Sequence, residues 1–191
     1  TVPHGSVNRR RVVVYFGALG LAFLFLEIAF IQRFLLFLHH PVLAIAVVLS
    51  GFLLFAGFGS ACAGRWMLRY APKKIVASAV ATIAVLGFVY VFALPALVFE
   101  PLIGAPTAVK LAASVVLIAA LAFPMGIPFP LGVARVGERS PTLIPWAWAI
   151  NGCASVISAV LATVLAIHFG FTIVVVGAIL LYLLAAAAFD F

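Results

Sequence analysis

The stretch VVVYFGALGLAFLFLEIAFIQRFLLFL, residues 12–38, decides the fold, because its only charged side chains are Glu27 and Arg33. At about 1.5 Å per residue, a helix of this length reaches beyond the roughly 30 Å of hydrocarbon in a bilayer. A cleaved signal peptide has a shorter apolar region, so this stretch is predicted to remain in the protein as a membrane span.

Five further apolar runs follow, over residues 42–63, 75–99, 107–123, 146–168 and 172–189. The chain is 68% hydrophobic and 8% charged, with a mean hydropathy of +1.38, which leaves too little polar surface for a soluble domain. Each run is continuously apolar, whereas the strands of an outer-membrane barrel alternate. The sequence therefore predicts an all-α polytopic bundle, with one six-span domain over residues 12–189 after a polar, basic lead-in at residues 1–11.

The basic residues are unevenly distributed across this topology. If six spans alternate in direction, only Arg33 and Lys110 fall on one side, and the other lysines and arginines share the opposite side with both chain ends. The positive-inside rule then predicts that both ends are cytoplasmic. A net charge of +7 needs no nucleic-acid partner here, because no basic stripe alternates with exposed aromatic residues. Membrane lipids with anionic headgroups are the expected partners.

Glu27 lies about 20 Å into the membrane from the cytoplasmic side, where a carboxylate is costly and usually faces the bundle interior. Arg33 is an imperfect partner, because it lies about 120° around the helix and about 9 Å higher; we expect it to extend toward the outer surface. Counting along the helices places Ser50 and Ser158 at the level of Glu27. A protonated Glu27 bonded to a serine would fasten helices together, whereas an ionised Glu27 would mark a site for an ion, a proton or a ligand.

Gln32 and Asn151 are further candidate polar fasteners between helices. His39, His40 and His168 end the first and fifth spans at the predicted outer face, where a pair of histidines could ligate a haem or a pigment. The chain has no CxxCH motif, and a proline or a glycine follows these histidines closely. Ordinary turn residues are therefore the alternative interpretation.

Two segments rich in small residues or proline interrupt the apolar pattern. GFGSACAG, residues 57–64, would let another helix approach closely in lipid. FPMGIPFPLG, residues 123–132, lacks several amide donors and favours a kinked or unwound backbone. Such a backbone either turns along the cytoplasmic interface or lines a cavity that protein covers.

The chain contains no recognisable catalytic motif. No serine or cysteine is arranged with a histidine and an acid in a known motif, and no spacing suits zinc or an iron–sulfur cluster. The acidic residues lie in separate segments, at Glu27, Glu100, Glu138 and Asp190. We expect this chain not to be an enzyme, with no metal and no evident cofactor.

Three segments resemble the membrane region of bacterial spermidine-synthase-like integral membrane proteins. They are LEIAFIQRF at 26–34, MGIPFPLG at 125–132 and PWAWAINGCASV at 145–156, in matching order. In that family, transmembrane helices accompany a soluble domain of the aminopropyltransferase or S-adenosylmethionine-dependent methyltransferase type. The resemblance implies a bacterial inner membrane. It carries over no catalytic residue, because this chain resembles only the membrane half.

A second segment, GSACAGR at 59–65 followed by Arg69, Lys73 and Lys74, is similar to the basic loop between the second and third helices of major facilitator transporters. Six helices form half of such a transporter. The acidic residue that this family places before its arginine is missing here.

These features predict a non-catalytic membrane module that anchors or assembles with a larger protein, through either a soluble transferase-like domain or other membrane subunits. One alternative is a transporter-like six-helix half that binds a small solute near the membrane midplane. A haem- or pigment-binding subunit is a lesser alternative.

Overall fold

A computed structural model describes residues 8–191 and shows a bundle of α-helices with no strand in that range, which confirms the predicted all-α fold. Six stretches are long and apolar enough to cross a membrane, as expected of a multi-pass membrane protein. The helices are α1 (Arg9–Leu38), α2 (Pro41–Trp66), α3 (Pro72–Phe92), α4 (Thr107–Met125), α5 (Pro128–Arg139), α6 (Ile144–Phe169) and α7 (Phe171–Ala188). The fourth of the six stretches comprises α4 and α5 together.

The first helix begins earlier than the apolar pattern indicates. Residues 1–7 of the predicted lead-in lie outside the described residues, but Arg9, Arg10 and Arg11 form the first turn of α1. The side-chain oxygen of Asn8 accepts a hydrogen bond from the backbone N–H of Arg11 at 3.4 Å. Because this contact satisfies a free donor at the helix start, α1 extends past the apolar residues into the basic segment.

The third predicted span, residues 75–99, consists of two helical pieces. α3 ends at Phe92, and a π-helix follows at Pro95–Phe99. Pro95 has no N–H to donate, which disfavours an uninterrupted α-helix through this point. π-Helical turns often occur at functional sites.

α1 is the central helix of the bundle. α6 and α7 pack along one part of its surface and α2 along another, while α3 contacts both α4 and α7. The packed neighbours therefore follow the order α2, α4, α3, α7 and α6 around α1. α2 and α6 are the two ends of that series, and the candidate site lies between them.

Both ends of the described chain lie at one end of the bundle. Near the start of α1, the Arg11 guanidinium donates a 2.6 Å hydrogen bond to the Asp190 carbonyl oxygen beyond α7. Lys73, at the start of α3, forms a 2.5 Å ion pair with the Asp190 carboxylate. Arg135 and Arg139 of α5 reach the same segment. We call this the basic end of the bundle, and the other the opposite end.

Two glycines let α2 and α4 touch through their backbones, in the region where the small-residue segment predicts close helix packing. A Cβ at Gly59 would lie 1.9 Å from the carbonyl oxygen of Phe123. A Cβ at Gly126 would lie 1.9 Å from the carbonyl oxygen of Ala56. Only glycine lacks a Cβ, so the close crossing of α2 and α4 requires glycine at both positions.

The proline-rich segment changes the chain's course with very little unwinding. Only Gly126 and Ile127 separate α4 from α5, and both have right-handed helical dihedral angles. Pro128 stands at the start of α5, where the missing N–H costs little. Its carbonyl oxygen accepts a 2.6 Å hydrogen bond from the Tyr15 hydroxyl. α5 leads to the basic end of the bundle and Gly126 lines an open groove. The cytoplasmic interface and the protein-covered cavity both stay predictions.

Candidate functional site

A lateral groove of about 460 Å³ lies between α2 and α6, with α1 as its floor. We define it by six of its lining residues: Leu53, Gly57 and Ser60 of α2, Phe129 of α5, Asn151 of α6 and Tyr182 of α7. Gly20 and Phe23 of α1 lie at its base. Because α2 and α6 stand apart here, the groove is open on the side of the bundle.

The α2 wall of the groove contains a glycine that the bundle itself does not require. A Cβ at Gly57 would have nothing within 4 Å among the described residues, whereas a Cβ at Gly59 would meet the Phe123 backbone. The two glycines of the same segment therefore have different surroundings. Gly59 serves the α2–α4 crossing, and Gly57 leaves a smooth backbone surface in the groove.

Three polar side chains line the groove without a partner. Within residues 8–191, no hydrogen bond is formed by the Tyr182 hydroxyl, the Asn151 amide or the Ser60 hydroxyl. Tyr182 is 1% exposed, and no fully buried polar side-chain atom among residues 8–191 lacks a hydrogen bond, so its hydroxyl opens onto the groove. Polar groups in the hydrocarbon region are stabilised by hydrogen bonds to other protein groups. The groove can thus offer hydrogen bonds to whatever occupies it.

The α6 wall is held to α1 by serine hydroxyls. Ser158 donates a 2.7 Å hydrogen bond to the Leu21 carbonyl oxygen of α1. Ser155 lies 3.4 Å from the Gly20 carbonyl oxygen of α1 and donates at 2.9 Å to the Asn151 carbonyl oxygen of its own helix. A Cβ at Gly20 would lie 2.4 Å from that same Asn151 oxygen. The close α1–α6 contact therefore fixes the position of Asn151 in the groove.

Ser50 and Ser158 do not gather around Glu27 as the depth count predicts. Ser158 lies at Leu21, six residues and about 9 Å before Glu27 along α1, and Ser50 is exposed on α2. The crossing of α1 and α6 places Ser158 before Glu27. Ser50 is near the level of Glu27, because the ring of the nearby Phe52 packs on Phe23 and Phe30 of α1, but it lies on the exposed face of α2.

Glu27 itself is 6% exposed and has no hydrogen-bond or ion-pair partner among residues 8–191. Gly20, Phe23 and Glu27 are spaced i, i+3 and i+7, so they follow one face of α1. Gly20 and Phe23 are at the base of the groove, and Glu27 stands about 6 Å beyond Phe23 toward the opposite end. A carboxylate without a partner therefore lies along the line of the groove.

The remaining polar candidates lie near the opposite end. Arg33 is half-buried, with its guanidinium carbon 4.8 Å from the ring centre of Phe99 and 5.8 Å from that of Phe171. It therefore stacks on aromatic rings, and the predicted extension toward the outer surface stays a prediction. Gln32 is half-buried and forms no side-chain hydrogen bond within the described part of the chain.

The three candidate ligands His39, His40 and His168 are all exposed at the opposite end. His39 ends α1 in the left-handed region, with φ of 56°, and His40 precedes α2. The His168 ring nitrogen Nδ1 lies 2.9 Å from the Val164 carbonyl oxygen. Residues 8–191 contain no group of three or more histidine, cysteine or acidic side chains placed to hold a metal. The haem or pigment interpretation stays a prediction.

The basic end contains an interaction that the sequence pattern did not indicate. The Phe191 main-chain oxygen accepts hydrogen bonds from Arg135 at 3.3 Å and from Arg139 at 2.6 Å. The rings of Phe189 and Phe191 pack on Tyr15, at centroid distances of 5.5 and 5.4 Å. The segment that follows α7 is thereby held against α1, α3 and α5.

The same contacts lower the pKa of the Asp190 carboxyl below its ordinary value. The hydrogen bond from the Lys73 ammonium is the largest cause. Burial is the next largest and raises the pKa, whereas the positive charges of Lys73, Arg135 and Arg11 lower it further. A carboxyl with a lowered pKa in the folded state stabilises folding above its ordinary pKa. That contribution disappears as the pH falls through the lowered value.

We therefore expect Asp190→Asn to reduce thermal stability in detergent at pH 7, and to have progressively less effect as the medium is acidified below the ordinary pKa of aspartate. The difference should stay below about 1 kcal/mol, because this ion pair is exposed. Added salt should reduce it further. A difference that grows on acidification would contradict the assignment of the ion pair to Lys73 and Asp190.

Comparison with known proteins adds no assignment: no family model, curated protein or solved structure matches this chain.

Proposed function

We propose that this chain is a non-catalytic membrane module that assembles with a larger protein or complex by seating a transmembrane helix in its lateral groove. The observation that carries the proposal is the groove itself, where a backbone surface free of side chains at Gly57 lies beside the unpartnered groups of Tyr182, Asn151 and Ser60. Small residues allow close helix contact in lipid, and polar side chains bond across such contacts.

A helix fits this groove better than acyl chains alone. An acyl chain has no donor or acceptor for the Tyr182 hydroxyl and the Asn151 amide, so those groups would stay unpaired in hydrocarbon. A serine, threonine, asparagine or glutamine on a neighbouring helix would satisfy them. A donor on the same helix would also form a hydrogen bond with Glu27, which lies farther along the same face of α1.

The resemblance to spermidine-synthase-like membrane regions suggests two sources for that helix. It belongs either to a protein with a soluble transferase-like domain or to another subunit of a membrane complex. The basic end, with exposed Arg9, Arg10, Arg65, Arg69 and Lys74, is proposed to face the cytoplasm of a bacterial inner membrane and to contact anionic headgroups.

The test is affinity purification of the tagged chain from its native membranes in mild detergent. We expect a membrane protein to copurify with the wild-type chain and to be lost when Gly57→Leu fills the groove. A wild-type chain that purifies alone, with lipid as its only companion, would refute the assembly function.

A transporter-like half is the second candidate, favoured by the buried Glu27 carboxylate and by a groove volume within the range of small-molecule sites. Glu27→Gln distinguishes the two functions. An assembly module should keep its partner with glutamine at this position, because the amide still forms hydrogen bonds. A proton-coupled transporter should lose uptake into vesicles, because glutamine does not titrate.

A further inference from the structure

A second pocket, of about 200 Å³, lies at the opposite end of the bundle, far from the groove. It is lined by the end of α1 and by the π-helix, with Arg33 and His39 on one side and Pro95, Phe99 and Glu100 on the other. Two irregular backbone features thus meet at one pocket, the left-handed His39 and the π-helical Pro95–Phe99. Irregular backbone of this kind concentrates at binding sites.

Arg33 and Glu100 bring opposite charges to this pocket without pairing with each other. Neither forms an ion pair or a side-chain hydrogen bond within residues 8–191. The Arg33 guanidinium is held on the ring of Phe99, and the Phe99 ring packs at 4.9 Å on Phe37. The cation is therefore positioned by aromatic stacking, and its N–H donors remain free for a ligand.

The pocket lies at the depth of lipid headgroups. Arg33 is about 31 Å along α1 from Val12, close to the roughly 30 Å thickness of the hydrocarbon. Leu36 and Ile103 also line the pocket and are 71% and 64% exposed, so its apolar wall continues onto the lipid-facing surface. A ligand bound here can place its polar part in the pocket and its chains along that surface.

We propose that this pocket binds a zwitterionic lipid headgroup with a primary ammonium, of the phosphatidylethanolamine kind. Arg33 holds the phosphate through its guanidinium N–H donors, and Glu100 accepts hydrogen bonds from the ammonium. The exposed apolar wall favours a lipid over a free zwitterion of the same chemistry. This site is independent of the groove and of the assembly function.

Native mass spectrometry of the purified full chain tests the site, with dioleoyl phosphatidylethanolamine, phosphatidylcholine or phosphatidylglycerol added to the detergent. We expect phosphatidylethanolamine to be retained best, because phosphatidylcholine has no N–H and phosphatidylglycerol places no cation beside Glu100. Glu100→Gln should weaken phosphatidylethanolamine binding at least about tenfold, the effect of one charge-assisted hydrogen bond, and should improve phosphatidylglycerol binding. Arg33→Gln should weaken both.

Glu138→Gln removes the same charge as Glu100→Gln from an exposed position at the basic end and should leave the preference between phosphatidylethanolamine and phosphatidylglycerol unchanged. Arg33→Gln also removes an aromatic contact and could therefore misfold. In that case the Glu100→Gln result alone decides whether the site exists. An unchanged preference between phosphatidylethanolamine and phosphatidylglycerol in Glu100→Gln would overturn the site. Displacement of the lipid by equimolar O-phosphoethanolamine would overturn the lipid as occupant, since a free solute then binds as well.

Discussion

Gly59→Ala should destabilise the bundle by about 3 kcal/mol, the upper part of the range for an overpacked core. The added methyl group would stand 1.9 Å from the Phe123 carbonyl oxygen, and that oxygen belongs to the α4 backbone. A side chain could rotate away, but a helix backbone must move as a unit. We therefore expect a clear fall in the thermal midpoint of the detergent-purified chain.

Gly57→Ala is the matched control for this prediction. It makes the same change two residues earlier on α2, where the added methyl has nothing within 4 Å. Its thermal midpoint should stay the same or rise slightly, because alanine favours a helix more than glycine does. Equal destabilisation by the two variants would show that the α2–α4 crossing does not depend on Gly59.

Gly126→Ala should destabilise the bundle to a similar extent, because its methyl would meet the Ala56 carbonyl oxygen across the same crossing. The double variant Gly59→Ala/Gly126→Ala should be less destabilised than the sum of the two single variants. Once one methyl group has separated α2 and α4, the second methyl group causes less steric clash. Such non-additivity is expected of residues that share one contact.

Gly57→Leu should reduce copurification of the partner at least about tenfold while leaving the chain itself folded. The leucine would project into the groove, next to the side chains of Leu53 and Ser60, where the partner helix is proposed to lie. The loss of binding comes from blocked approach of two backbones, so it should be large. The measurement is quantitative mass spectrometry of complexes purified from native membranes.

Gly64→Leu is the control for that experiment. Gly64 is also an exposed glycine of α2 with nothing within 4 Å of an added Cβ, but it does not line the groove. Both variants should have the thermal midpoint of the wild-type chain, and only Gly57→Leu should lose the partner. If both variants kept the partner, the groove would not be its binding site.

The spans were predictable because their apolar runs are long and their interruptions are strong. Proline and glycine mark the break near Gly126, and the six predicted spans match six apolar helical stretches. The interruption near Pro95 was missed, because the apolar run continues through it. The start of α1 was missed because Asn8 caps the helix before the apolar residues begin. Hydropathy identifies only the apolar residues that lie in lipid, whereas a helix can begin before them or end after them.

The candidate site was predictable only in part. Asn151 was identified from its polarity within an apolar run, and it does line the groove. The different surroundings of Gly57 and Gly59 could not be read from the pattern, because that requires knowing which face of α2 meets α4. Ser158 was assigned to the wrong level of α1, because levels counted along straight helices ignore how α1 and α6 cross. The contacts of Asp190 could not be predicted, because its partners Arg11, Lys73 and Arg135 lie on three helices that are distant from it in the sequence.

The most direct test of a helix-binding groove is photo-crosslinking in intact membranes, with p-benzoylphenylalanine placed at Leu53. Leu53 lines the groove and is 70% exposed; the control is Val160, 67% exposed and about 140° around α6 from the groove residue Ser155. We expect Leu53 to crosslink to a single membrane protein and Val160 to crosslink to lipid. Lipid adducts alone at both positions would contradict a groove that seats a partner helix.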